Sequence, residues 1–171
     1  MKKIACVGSR DIDQTMSEMM EEIGSYVVLK GHVLASGNAT GSDQAYARGG
    51  NKINPENVWL YLPWSKYEAE ARVCGNLCLL QADDSESLIN LAKRHHGGWD
   101  HLTAGSKKLM VRNAAIVSGA NLVIAYPNPK KKWGGGTGHG IKIAKELGIK
   151  TILLTETTLA EVKAEIDALC D

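Results

Sequence analysis

Short apolar runs alternate with amphipathic stretches along most of the chain. The first run, residues 3 to 8 around Ile4-Ala5-Cys6-Val7, has the continuous apolar character of a strand buried on both faces of a parallel sheet. Met16, Met19, Met20, Ile23, Val27 and Val28 then recur at helical spacing, with acidic residues opposite, and Lys30-Gly31 closes the segment. Residues 33 to 36 read as a second strand, 42 to 49 as a second helix, and Val58 to Leu62 as a third strand stopped by Pro63. Such alternation is the signature of a parallel sheet with helical crossovers. After Pro63-Trp64 the pattern changes: residues 66 to 80 read as helix, Asp83-Asp84-Ser85 as the cap of a helix reaching about Arg94, His95 to Trp99 as a break, and Ala104 to Val117 as another helix. A fourth strand at 121 to 126, a helix from about Thr137 to Leu147, a fifth strand at Thr151 to Leu154 and a last helix from Thr158 to Leu169 complete the chain. Thr158 and Glu161 have capping-box spacing.

Five strands in this arrangement predict an α/β, Rossmann-like, doubly wound parallel sheet of order 3-2-1-4-5 with helices on both faces. Ligands bind such sheets at the switch point, here between the first and fourth strands. The excursion over about 65 to 118 exceeds a minimal crossover and is expected to cover one end of the sheet. With 171 residues, residues 1 to 171 are read as one domain, within the usual range of roughly 100 to 200 residues.

Composition narrows the function classes. A hydrophobic fraction of 44%, 23% charged residues and a net charge of +1 describe an ordinary globular chain with no global field for nucleic acid, so any such contact has to be local. Met1-Lys2-Lys3 precedes an apolar run too short for a signal peptide, and no segment approaches the roughly 20 apolar residues of a membrane span. Cys6, Cys74, Cys78 and Cys170 fit no zinc spacing and read as reduced thiols, with Cys74 and Cys78 as helical neighbours. The histidines 95, 96 and 101 lack a convincing partner set. A cytoplasmic protein with no metal, no cofactor and no membrane contact is the expectation.

Three small-residue turns carry the candidate chemistry. Gly8-Ser9-Arg10 follows the first strand, Ser36-Gly37-Asn38-Ala39-Thr40-Gly41-Ser42-Asp43 the second, and Gly134-Gly135-Gly136-Thr137-Gly138-His139-Gly140 the fourth. Glycine lets backbone approach a ligand, and a helix that begins on such a turn directs unpaired N–H groups at an anion. Glycine clusters are equally the punctuation of ordinary loops; their repeated placement after strands favours a phosphate crevice. The hydroxyl of Ser9 and guanidinium of Arg10 suit charge-assisted phosphate contacts. Thr40 and Ser42 suit phosphate or a helix cap alike, and Asp43 is also what a helix dipole favours. Arg112-Asn113 interrupts an apolar helix, so the cation needs a partner or a route to water. Lys130, Lys131, Lys132 and Trp133 form either a solvated face or a strand-binding edge. His139 contacts a phosphate or base, or faces water. Glu68 and Glu70 either reach the crevice or lie at the surface.

Together these blocks resemble the SLOG superfamily of Rossmann-like nucleotide-binding domains, within it the short phage and bacterial DprA/Smf-like proteins, with the YspA-like group close by. The matching residues are Val7 to Arg10, Ser36 to Asp43, Leu62-Pro63-Trp64, His96 to Trp99, Arg112-Asn113, and Gly135 to Thr137 with Ile141 to Ile149. The resemblance implies binding of a nucleotide or single-stranded nucleic acid at the carboxyl ends of the strands, through Gly8, Ser9, Arg10, Ser36, Gly37, Thr40, Gly41, Asp43, Arg112, Asn113, Gly135, Gly136 and Thr137. DprA proteins use this surface to bind single strands and load a recombinase, so DNA processing and a homo-oligomer, a dimer, are implied partners in function. The chain is expected to lack the N-terminal helical domain and C-terminal winged helix of full-length DprA. LOG relatives cleave the base from a nucleoside monophosphate with an Arg and a Glu, but Gly140 stands where that Glu falls and the proline of their loop is absent. An N-glycosidase would need Asp43 or Glu68 as its carboxylate. A sensor of a nucleotide signal is a third reading, by analogy of fold.

Overall fold

A computed structural model describes residues 1–72, 75–79, 85–131 and 134–170. Among these, six strands form one sheet: β1 (Lys3–Gly8), β2 (Val33–Ser36), β3 (Val58–Leu62), β4 (Asn76–Leu79), β5 (Leu122–Tyr126) and β6 (Thr151–Leu153), in the order β4-β3-β2-β1-β5-β6. Every neighbouring pair is parallel. The helices are α1 (Gln14–Leu29), α2 (Ser42–Asn51), α3 (Ser85–Arg94), α4 (Ala104–Val117), α5 (Gly135–Glu146) and α6 (Leu159–Asp167).

The two-residue period of the strands sorts side chains between two cores. Ile4, Cys6, Leu34, Leu60, Leu122 and Ile124 pack on one face with Met20, Ile23 and Val27 of α1 and with Val162 and Ile166 of α6. Ala5, Val7, Ala35, Val123 and Ala125 face the other way, against Val111 and Ile116 of α4 and Ile141 and Ile143 of α5. The sheet is therefore doubly wound, and the Met stripe of α1 contributes to the core through buried Met20, with Met16 and Met19 packed against it. On the first face α1 and α2 touch backbone to backbone: a Cβ on Gly49 would lie 1.9 Å from the Glu21 carbonyl oxygen, and one on Gly24 would lie 2.1 Å from that of Tyr46. The α6 capping box forms as its spacing predicts, with Thr158 Oγ1 accepting from Glu161 N and Glu161 Oε2 accepting from Thr158 N at 2.8 Å.

One segment departs from the sequence pattern. No helix spans 66 to 80 in the described residues; a single 3-10 turn at Ala69–Ala71 is followed by β4 on the edge of the sheet. The strands thus number six rather than five, and the expected order 3-2-1-4-5 persists as β3-β2-β1-β5-β6 with β4 added outside β3. The reason is tertiary: β3 offers an open edge, and Gly75 lets the chain approach it, since a Cβ there would stand 2.7 Å from the Val58 carbonyl oxygen. Asn76 Nδ2 also donates to the Glu56 carbonyl. Cys78 accordingly lies in a strand rather than on a helix, and Cys74, its expected helical neighbour, lies outside the described residues. The expected cap at Asp83-Asp84 also lies outside them.

No helix among the described residues is long and apolar enough to cross a membrane.

Candidate functional site

Strands β1 and β5 are neighbours, but the chain leaves them in opposite directions, to β2 on one side and β6 on the other. A cavity of about 320 Å³ opens at their carboxyl ends. Gly8, Ser9, Arg10 and Asp11 line it from the end of β1, Ala39 and Asp43 from the turn after β2, Arg112 and Asn113 from α4, and Gly134 to Thr137 with Gly140 from α5. Leu109, Met110 and Val117 supply an apolar wall, and Asn128 and Lys131 a polar rim.

The end of β1 is fixed by two contacts. Ser9 N donates to the Tyr126 carbonyl at 2.9 Å, extending the ladder, and the Ser9 carbonyl accepts from both Ser42 N at 3.1 Å and Ser42 Oγ at 2.7 Å. Only glycine fits before it, because a Cβ on Gly8 would lie 2.5 Å from Ser42 Oγ. Ser9 Oγ accepts from Asp11 N at 3.1 Å, which leaves its O–H free to donate to a ligand.

The α5 N-terminus forms the facing wall. Gly134 is its N-cap and supplies no side-chain bond, and the first turn holds no acidic residue. The first N–H groups of a helix have no partner within it, and the dipole adds positive potential there. This end therefore presents both donors and field to the cavity, the arrangement that binds phosphate. Gly135 takes φ 77°, a conformation that favours glycine. Asn113 Nδ2 holds the turn by donating to the Gly136 carbonyl at 3.3 Å.

Arg112 is 5% exposed. Its Nη1 donates to the Gly37 carbonyl, its Nε to Asn113 Oδ1 at 3.2 Å, and its guanidinium lies 5.4 Å from the centre of the Tyr67 ring. Nη2 makes no hydrogen bond among the described residues. Asp43, also 5% exposed, accepts from Ala39 N at 3.3 Å. Burial pushes its carboxyl above the ordinary range; the charge of Arg112, the Ala39 N–H and Arg10 pull the other way without cancelling it. A buried cation thus shares the cavity with a carboxyl whose proton is held unusually tightly.

Arg10 leads outward. Its Nη1 pairs with Glu68 Oε1 at 2.7 Å, and its Nη2 donates to the Tyr67 hydroxyl at 2.5 Å. The other oxygen of Glu68 accepts from Thr40 N at 2.7 Å, Thr40 Oγ1 at 2.8 Å and Gln44 Nε2 at 3.3 Å. Partial burial works to raise the Glu68 pKa, but the Thr40 hydrogen bonds and the Arg10 charge outweigh it and hold the carboxyl below its usual value.

The structure therefore brings Gly8, Ser9, Arg10, Asp43, Arg112, Asn113, Gly135, Gly136 and Thr137 to one cavity. Four other candidates do not line the cavity. Ser36 Oγ donates to the Cys6 carbonyl at 2.6 Å and ties β2 to β1. Gly37 accepts from Arg112, Thr40 binds Glu68, and Gly41, at φ 92°, packs against the Arg10 backbone. His139 is buried against α3: it is 4% exposed and its Nε2 bonds to the Ala92 carbonyl at 2.9 Å. The helical turn that places Gly140 in the cavity rotates His139 onto α3. Glu70 is exposed, Lys131 reaches the rim, and Lys132 and Trp133 lie outside the described residues. Among the described residues no group of three or more His, Cys, Asp or Glu side chains is placed to hold a metal ion. The pattern gave no sign of Tyr67, Gln44 or the Leu109-Met110 wall as parts of the site. Tyr67 lies after β3 and Gln44 in the first turn of α2, and neither position carries a local signal of the site.

No protein-family model matches the chain, and no curated protein matches it in sequence. Its fold, however, matches solved structures over nearly its whole length. DNA processing protein A from Helicobacter pylori, which has a single-stranded DNA binding mode, is 14% identical with a TM-score of 0.67 over 98% of this chain and 80% of that one. The Moco carrier protein from Chlamydomonas rheinhardtii is 16% identical with a TM-score of 0.58 over 99% of this chain and 98% of that one. Both likenesses are of fold.

Proposed function

We propose that the chain binds nucleotide phosphate in the switch-point cavity, as a free nucleotide or as one unit of a single-stranded nucleic acid. The observation that carries this reading is the convergence of an uncapped α5 N-terminus, the Ser9 turn and the buried Arg112 on one cavity of about 320 Å³. That volume falls within the roughly 300–1,000 Å³ of small-ligand sites. The apolar wall of Leu109 and Met110 suits the flat face of a base while the α5 end takes the phosphate. The fold shared with the Helicobacter pylori protein supports the single-strand form and, with it, a DprA/Smf-like part in DNA processing. The same reading takes residues 1 to 171 as one SLOG-like domain that works as a homo-oligomer in the cytoplasm.

A thermal-shift screen of mononucleotides and short single-stranded oligonucleotides tests this. A ligand is expected to raise the melting temperature, and oligonucleotide affinity is expected to fall as salt rises, because phosphate contacts release counterions. Absence of any shift at low salt from the whole panel overturns the reading.

One observation favours a second reading. Asp43 is a buried carboxyl of raised pKa inside the cavity, a form suited to donating a proton to a departing base in nucleotide N-glycoside hydrolysis. Chromatography for free base after incubation with the same nucleotides decides it, and no release from any of them removes it.

A further inference from the structure

The carboxylate of Glu68 sits in a ring of donors supplied by other parts of the chain. Arg10 Nη1, Thr40 N, Thr40 Oγ1 and Gln44 Nε2 all reach its two oxygens within 3.3 Å. Two of these donors belong to the turn that opens α2, one is a guanidinium, and one is the side-chain amide of Gln44, itself 93% buried by its 7% exposure. This is a donor set for a doubly liganded oxyanion, and an anion already fills it. That anion is borne on the segment after β3, 58 residues from Arg10 and 28 from Thr40 in sequence.

Arg10 belongs to this ring and also lines the switch-point cavity. A ligand whose first phosphate lies at the α5 N-terminus therefore finds the ring next in line. Arg10, half-exposed in its present pairing, is shared between the two positions. Thr40 and Gln44 are neutral, so without Glu68 the ring would carry the uncompensated charge of Arg10. A phosphate group matches it in shape, since its oxygens accept from guanidinium, hydroxyl and backbone N–H together.

Resting on the function proposed above, we infer that Arg10, Thr40 and Gln44 form a second phosphate subsite, which Glu68 occupies as an internal competitor. Ligand carrying a second phosphate displaces the Glu68 carboxylate; ligand carrying one does not need to. The second phosphate is either the next one along a single strand or the β-phosphate of a nucleoside diphosphate.

Calorimetric titration of the full chain and its Glu68→Ala variant tests this with three probes: a nucleoside 5′-monophosphate, the matching diphosphate, and a 5′-phosphorylated dinucleotide. Glu68→Ala is expected to tighten at least one doubly phosphorylated probe by about tenfold, the equivalent of about 1.4 kcal/mol, and to leave the monophosphate within twofold. Which probe gains identifies the source of the second phosphate. Adding Thr40→Val is expected to remove much of the gain, and Glu70→Ala, which deletes the same charge two residues away, to give none. Equal gains for all three probes, or a gain with Glu70→Ala, would show a general field effect and overturn the subsite, as would no gain at all. Monophosphate binding by the unaltered chain stands apart, because it tests the first site alone. Should Glu68→Ala lose its circular dichroism signal, Glu68→Gln, of the same volume, carries the comparison.

Discussion

Replacing Arg112 with alanine separates the structural role of this side chain from its role in binding. The substitution strands the Gly37 carbonyl, which now accepts from Nη1, at a cost of about 1–3 kcal/mol for an unsatisfied buried group. It also removes the guanidinium near the Tyr67 ring, worth roughly 0.5–1 kcal/mol. Asp43 loses the charge that most lowers its pKa, so burial raises that pKa further. A total of roughly 1.5–4 kcal/mol follows. Unfolding entropy of about 2.1 cal/mol/K per residue gives about 0.36 kcal/mol/K for 171 residues, so the melting temperature should fall by about 4–11 °C. Binding is read separately. A ligand at 100 times its dissociation constant stabilises by about 2.7 kcal/mol, a shift of about 7 °C on the same scale. Losing one charged hydrogen bond of about 1.5–3 kcal/mol weakens affinity roughly 10- to 150-fold, and the same ligand concentration then shifts the variant by only about 1–4 °C. Differential scanning fluorimetry with and without nucleotide measures both quantities. Adding Asp43→Asn should recover stability, since the buried acid is gone, without recovering the ligand shift. An Arg112→Ala protein that keeps the full shift of about 7 °C would refute the placement of the phosphate.

Three further outcomes follow from the packing. Ser36→Ala removes the buried bond to the Cys6 carbonyl and should cost about 1–3 kcal/mol in urea unfolding while ligand affinity stays within twofold; a large affinity loss would return Ser36 to the site. Gly49→Ala drives a methyl to 1.9 Å from the Glu21 carbonyl and should destabilise by at least about 1–3 kcal/mol, the usual cost of overpacking; an unchanged denaturation midpoint would contradict the close α1–α2 approach. Burial holds the His139 imidazole below its ordinary value, with His96 and His95 adding to the effect against the Ala92 hydrogen bond, and burial lowers His32 likewise. The unfolded chain then binds more protons between the folded value and about 6.5. Stability should therefore be full above that pH and fall as the medium is acidified through the window. His139→Leu should flatten part of the slope below about pH 6.5 in chemical denaturation, and an unchanged slope would exclude His139 as its source.

Much of the site could be read from the chain because its parts obey local rules. Small residues stand where backbone must pass closely, as Gly8 does beside Ser42, and a glycine turn before a helical pattern marks an anion site whatever the rest of the fold does. Arg112 stood out because a cation in an apolar helix must find a partner, and it found the Gly37 carbonyl. His139 was misplaced because residues on one helical turn point in different directions. Sequence spacing put it near Gly140, while the rotation of α5 faces Gly140 to the cavity and His139 to α3.

Local patterns set the alternation of strands and helices, the switch point between β1 and β5, and the three turns that meet there. These depend on patterns a few residues long: burial on both faces, helical periodicity and backbone freedom at glycine. The sixth strand and the partner of Arg10 came from contacts between distant parts of the chain. Residues 76 to 79 became β4 because β3 presented an unpaired edge, and no local pattern records such an edge. Glu68 came to Arg10, Thr40 and Gln44 because the sheet brings the ends of β1, β2 and β3 together. An ion pair across 58 residues is set by that geometry rather than by spacing along the chain.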